Sequence, residues 1–180
     1  HVGRLAGEIA AQLAPLAGFT VADRKLVELA AILQDTGYLI DYEQHHKHSY
    51  HLIINSRLPG FEPRELELVA NIARYHRGAR PKRKHENYRR LSKPDRKRVK
   101  RLAAILRLAG GLDRSNTQQV QGVYVDCDQD AVVVKVRQVG AACHNGFRSC
   151  FYRQVVAADG GLKLNTVLTR DVDPSKVYKK

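Results

Sequence analysis

The sequence predicts a mainly α chain: a helical domain over residues 1–116, then a small α+β domain with antiparallel strands over 117–180. Three observations predict it. Apolar residues recur at three- and four-residue spacing as far as Ala109. Glycine and proline punctuate that pattern at Gly18, Gly37, Pro59-Gly60 and Gly110-Gly111. After Thr117 the texture changes to valine-rich alternation, the period of a strand.

The elements follow in order. Val2, Leu5, Ala6, Ile9, Leu13 and Leu16 make one apolar stripe, so residues 2–17 read as an amphipathic helix stopped by Gly18. Leu26, Leu29, Ala30 and Leu33 predict a second helix from Val21, ended by Gly37. Residues 46–54 predict a third, with Tyr50, Ile53 and Ile54 inward. Residues 62–76 predict a fourth on Leu66, Val69, Ile72 and Ala73. Residues 77–91 are basic, carry Gly78 and Pro81, and read as a loop. Ser92 and Asp95 have the spacing of a capping box, and Pro94 suits a first turn. The helix they open carries Val99, Leu102, Ala103 and Leu106 inward and is predicted to stop at Gly110-Gly111. GVYVDCD and AVVVKVR predict a β-hairpin, residues 141–157 a helix, and GLKLNTVL a third strand.

Composition bounds the rest. The 180 residues are 43% hydrophobic and 27% charged, enough for a core and a solvated surface. No apolar run approaches the roughly 20 residues that span a bilayer, and no signal peptide opens the sequence, so no membrane partner is expected. Cys127, Cys143 and Cys150 form no CxxC pair and read as buried thiols in a reducing, cytoplasmic setting. There is no methionine, so the sequence reads as a piece of a longer protein.

The net charge of +13 is concentrated. Between Arg74 and Arg101 there are fourteen Lys/Arg against two acids, Glu86 and Asp95. Self-repulsion in such a block is relieved by a polyanion. Arg77, Arg80, Lys82, Arg83, Lys84, Arg89, Arg90 and Arg114 are the candidate phosphate contacts, and Lys97, Lys100 and Arg101 form a possible stripe. Tyr75 and Tyr88 are the only interleaved aromatics, too few for a base-stacking platform. That favours polyphosphate over nucleic acid.

A second candidate is LQDTGYLIDYEQHHKHSY, residues 33–50, with Asp35 and three histidines. Imidazole and carboxylate are common ligands of divalent ions. His45, His46 and His48 cannot all face one point on a helix, because adjacent residues point about 100° apart.

HHKHSYHLIINSRLPGFEPRELELVANIARYHRG and LSKPDRKRVKRLAAILRLAGGLDRS resemble the C-terminal part of the exopolyphosphatase / guanosine pentaphosphate phosphatase (Ppx/GppA) family. The resemblance implies an HD-like all-α fold over 1–116. It also implies that hydrolysis, with magnesium, belongs to an N-terminal actin-like domain outside these residues, and that no catalytic residue or cofactor lies in this piece. The module seen here would hold the chain substrate and support a homodimer. Carried over residue by residue, the first HD histidine matches His1 and the His-Asp pair falls on Gln34-Asp35. Later histidines match His48 and His76, and the final aspartate falls on Gly110. A histidine and an aspartate are thus replaced, so the resemblance implies a degenerate motif that holds no metal. Asp113 lies one turn beyond Gly110 but past the predicted helix stop.

Three functions are therefore expected in competition. The first is a non-catalytic, polyphosphate-binding region of an exopolyphosphatase. The second is an HD-type phosphohydrolase with a reduced metal site. The third is a nucleic-acid-binding module.

Overall fold

The computed structural model describes residues 1–128, 131–138, 151–156 and 162–164. The chain divides into two compact units, His1–Arg114 and Ser115–Lys180.

The first unit is helical. Helix α1 spans Val2–Ala17 and buries Leu5, Ala6, Ile9 and Ala10 as one stripe. It ends where Gly18 takes φ 63°, a left-handed conformation that glycine adopts without strain, and donates its N–H to the Ala14 carbonyl at 2.8 Å. Helix α2 spans Val21–Leu33. Its N-terminus is closed by a reciprocal pair: Asp23 N–H donates to Thr20 Oγ1 at 3.2 Å, and Thr20 N–H donates to Asp23 Oδ2 at 2.8 Å. A short 3-10 turn follows at Thr36–Leu39. Helices α3 (His45–Ile54), α4 (Pro63–Arg74), α5 (Glu86–Arg89) and α6 (Lys93–Leu112) complete the unit. The one-turn α5 lies inside the stretch expected to be only loop.

Helix α1 packs on α2 and α6, α4 packs on α2, α3 and α6, and α3 also packs on the 3-10 turn. The centre is Leu5, Ile9, Val27, Val69, Ile72, Val99, Leu102 and Leu106, all fully buried. Each such side chain contributes about 1.5–3 kcal/mol.

Two buried carboxylates tie helices together. Asp23 accepts from Arg98 Nε at 2.6 Å, and Asp95 accepts from Arg64 Nη2 at 2.9 Å. Burial alone would raise the Asp23 pKa, but hydrogen bonds from Thr20 and Arg98 outweigh it, and the value falls below the usual 3.8. A depressed folded-state pKa stabilises fully above the unfolded value and is lost as pH falls through the folded one. Asp23→Ala removes this acid-sensitive contribution together with the α2 cap. It is expected to cost about 1–2 kcal/mol in urea unfolding at pH 7, with a smaller difference from the parent chain at pH 3.

Gly110 and Gly111 do not end the last helix, as the sequence suggested. Helix α6 continues through both to Leu112, with Asp113 at its C-cap. A Cβ at either glycine would meet nothing within 4 Å. Tertiary packing of Ile105, Leu106, Leu108 and Ala109 carries the backbone past two poor helix formers. Gly110→Ala is expected to raise stability by about 0.5–1 kcal/mol, read as a higher denaturant midpoint at unchanged m-value.

The second unit holds an antiparallel sheet in the order β1-β2-β3-β4, with β1 Val120–Asp128, β2 Ala131–Gln138, β3 Phe151–Val156 and β4 Leu162–Leu164. Val123 pairs with Val136 and Val125 with Val134, so the hairpin read from the valine pattern is present. Mainly helical structure followed by antiparallel strands is the class the sequence predicted. The expected helix over 141–157 is corrected at its C-terminal end, where residues 151–156 pair with β2 as a strand. The rest of that expectation lies outside the described residues, as do Cys143 and Cys150.

Candidate functional site

Asp35, His45 and His76 are brought together from three elements. Asp35 sits between α2 and the 3-10 turn, His45 opens α3, and His76 follows the end of α4. Ser49 fixes the first of these against α3: its hydroxyl donates to the Gln34 carbonyl at 2.6 Å and accepts the Gly37 N–H at 2.9 Å. The Gln34 side chain, itself buried, hydrogen-bonds the Asp35 carboxylate.

The geometry is a triangle. His45 Nε2 and His76 Nε2 lie 3.2 Å apart, and Asp35 Oδ1 is 3.4 Å from the first and 3.7 Å from the second. Each imidazole is oriented from behind: His45 Nδ1 lies 2.8 Å from the Tyr42 carbonyl and His76 Nδ1 2.8 Å from the Ala73 carbonyl. A carbonyl only accepts, so both Nδ1 atoms carry hydrogen and donate. The Nε2 atoms therefore face each other as lone pairs whenever the rings are neutral. Arg77 Nη1 approaches His45 Nδ1 at 3.3 Å, but that nitrogen already donates to Tyr42, so the approach places two N–H groups side by side. Burial holds the His76 pKa down at about 4, leaving the ring neutral at pH 7. Burial also raises the Asp35 pKa, opposed by His45, Arg77 and the Gln34 hydrogen bond. The Asp35 side chain is 49% exposed, so the cluster opens to solvent on that side.

Arg77 also begins the basic segment, which is a folded structure. Arg107 donates from Nε to the Tyr75 carbonyl at 2.7 Å and from Nη2 to the Gly78 carbonyl at 2.5 Å. The Tyr75 hydroxyl meets His85 Nδ1 at 3.0 Å and accepts from Asn87 Nδ2 at 3.1 Å. Asn87 also donates to Asn71 at 2.7 Å, and the Tyr88 hydroxyl donates to the Arg96 carbonyl at 2.8 Å.

This scaffold sorts the cations. Arg98 serves Asp23, Arg96 donates to the Leu91 carbonyl, Arg101 lies over the Phe19 ring, and Arg74 lies between Tyr50 and Tyr75. Arg90 pairs with Glu86 at 2.5 Å on the surface. Arg77, Arg80, Lys82, Arg83, Lys84, Arg89 and Arg114 are exposed. Among the described residues, Lys82, Arg83, Lys84 and Arg89 make no ion pair.

The sequence matches Ppx/GppA phosphatase, domain III, over residues 2–140. The chain belongs to the Ppx/GppA phosphatase family. It is also similar to phosphoribosyl-AMP cyclohydrolases over a shorter stretch. The one from Bradyrhizobium diazoefficiens is 56% identical over 71 residues, 39% of this chain and 51% of that protein. The one from Methanothermobacter thermautotrophicus is 48% identical over 69 residues, 38% of this chain and 48% of that protein. The chain spans about half the length of these curated relatives.

Within this Ppx/GppA chain, the residues matched to an HD motif do not converge as a set. Asp35 and His76 meet, but the third partner is His45, where His48 was expected. Helix α3 begins at His45, and three residues of helical rotation carry His48 Nε2 to within 3.9 Å of Asp41 instead. His1 caps α1, with its Nε2 buried and no described hydrogen-bond partner. Gln34 is a hydrogen-bond donor behind Asp35, and Gly110 lies within α6. The sequence offered one signal for His45, its place in a cluster of three histidines, but could not say which would turn inward.

Proposed function

We propose that this chain is the part of a Ppx/GppA-type exopolyphosphatase that holds polyphosphate. The observation that carries the reading is the set of exposed cations Lys82, Arg83, Lys84 and Arg89, without a described ion pair, in the segment that runs into α5 and whose start Arg107 holds through the Tyr75 and Gly78 carbonyls. Cations already spread on a fixed surface bind a linear polyanion with little ordering cost. Arg77, Arg80, Arg90 and Arg114 extend the surface, Arg90 after exchanging Glu86 for phosphate. Hydrolysis of the phosphoanhydride, with magnesium, is assigned to the actin-like N-terminal domain of the parent chain. The exposed apolar residues Leu39, Ile40 and Tyr42 support a homodimer contact. Filter binding of labelled polyphosphate, competed by single-stranded DNA of matched charge at one salt concentration, tests the assignment. Preference for polyphosphate supports it, and preference for DNA makes the chain a nucleic-acid module.

A second reading comes from the relatives at about half identity. The stretch shared with the phosphoribosyl-AMP cyclohydrolases supports hydrolysis of phosphoribosyl-AMP by this chain. A spectrophotometric assay with that substrate decides it, and no turnover by chain that still binds polyphosphate removes the reading.

A further inference from the structure

We infer that Asp35, His45 and His76 form a three-ligand site for a zinc-class divalent metal ion, with a coordination position open to solvent. The family resemblance implied a motif too degraded for metal, because Gln34 and Gly110 replace a histidine and an aspartate. The structure builds a different set from two of the old positions, Asp35 and His76, and one further histidine, His45.

The distances decide between a metal and a proton shared with the carboxylate. Zinc binds imidazole nitrogen and carboxylate oxygen at about 2.0–2.2 Å, so neighbouring ligands of a tetrahedral ion stand about 3.3–3.6 Å apart. The observed edges are 3.2, 3.4 and 3.7 Å. An ion bonded at about 2.1 Å to all three corners of such a triangle sits about 0.7 Å above its plane, as the base of a tetrahedron requires. A proton shared with the carboxylate would draw the oxygen to about 2.7–2.9 Å of a ring nitrogen, and Asp35 stays well beyond that from both. Both rings are also held by backbone carbonyls at Nδ1, the arrangement that fixes the tautomer of metal-binding histidines. The Gln34 hydrogen bond does the same for the carboxylate. Arg77 opposes a dication, but its guanidinium lies behind His45 at Nδ1, away from the lone pairs.

The donor set, two imidazoles and one carboxylate, suits zinc, cobalt or iron(II) over magnesium or calcium. The fourth position, on the exposed Asp35 side, would take water or an anionic oxygen.

The test is titration of chelator-stripped, full 180-residue chain with cobalt(II), followed by competition with zinc. The expected result is one equivalent bound through nitrogen and oxygen, giving d–d bands without the near-ultraviolet charge-transfer band of a cysteine thiolate, displaced by zinc. His45→Ala and Asp35→Asn should each weaken binding at least tenfold, a typical loss for an open site deprived of one ligand. Asp35→Asn is nearly isosteric at a half-exposed side chain, so it reports even where the histidine variant does not fold. No uptake, a thiolate band alone, or unchanged affinity in Asp35→Asn would overturn the inference.

Discussion

Replacing Gly37 by alanine is expected to cost about 3 kcal/mol or more of stability, the largest effect of any single methyl in the helical unit. A Cβ at this position would lie 2.0 Å from the His45 carbonyl oxygen and 2.5 Å from the Ser49 nitrogen. Both are backbone atoms of α3, so no side chain can swing away to make room. Relief requires α3 to retreat from the segment at Gln34 to Gly37. That movement breaks the Ser49 hydroxyl's bonds to Gln34 and Gly37 and separates Asp35 from His45. Urea unfolding followed by far-ultraviolet circular dichroism measures the cost. Gly110→Ala is the matched control, since the same added methyl there meets open space and is expected to stabilise. A Gly37→Ala chain as stable as the parent would mean that α3 does not press on this segment.

The second large effect is on binding. Arg83→Ala combined with Lys84→Ala is expected to weaken polyphosphate binding tenfold or more, since a charged hydrogen bond contributes about 1.5–3 kcal/mol. The logarithmic dependence on salt should become shallower by somewhat less than one unit for each lost phosphate contact. Stability should not change, because both side chains are exposed and make no described ion pair. Arg98→Ala gives the opposite pattern: its guanidinium serves Asp23, so stability falls while affinity holds. Arg107→Ala should lose affinity indirectly, by releasing the Tyr75 and Gly78 carbonyls that anchor the loop. If Arg98→Ala weakened binding as much as the loop pair, general charge rather than a placed surface would be the cause.

Much of the fold was legible because its signals are local. The stripe Leu5, Ala6, Ile9 and the Ser92 cap are written within a few residues, and α1 and the start of α6 appear where they place them. Gly110-Gly111 misled for the same reason. Local propensity ends a helix there, whereas the buried faces of Leu106 and Ala109 extend it. The basic segment was legible as charge but not as architecture. Nothing near Tyr75 in sequence says that Arg107 will hold its carbonyl from 32 residues away. The imidazole cluster was half legible. A motif comparison found Asp35 and His76, but the choice of His45 over His48 depends on the register at which α3 begins. The two lie three residues apart, close to one turn, so which of them reaches the cluster is decided by how α3 packs on the 3-10 turn rather than by any local pattern.

The central claim is that this Ppx/GppA chain holds polyphosphate on a preformed cationic surface. Its most direct test is the affinity of the purified chain for labelled long-chain polyphosphate at near-physiological salt, measured alone and against single-stranded DNA of equal charge. Saturable binding that DNA displaces only in large excess, and that Arg83→Ala with Lys84→Ala reduces, is the expected result. Absence of binding at that salt, or displacement by an equal charge of DNA, would contradict the account.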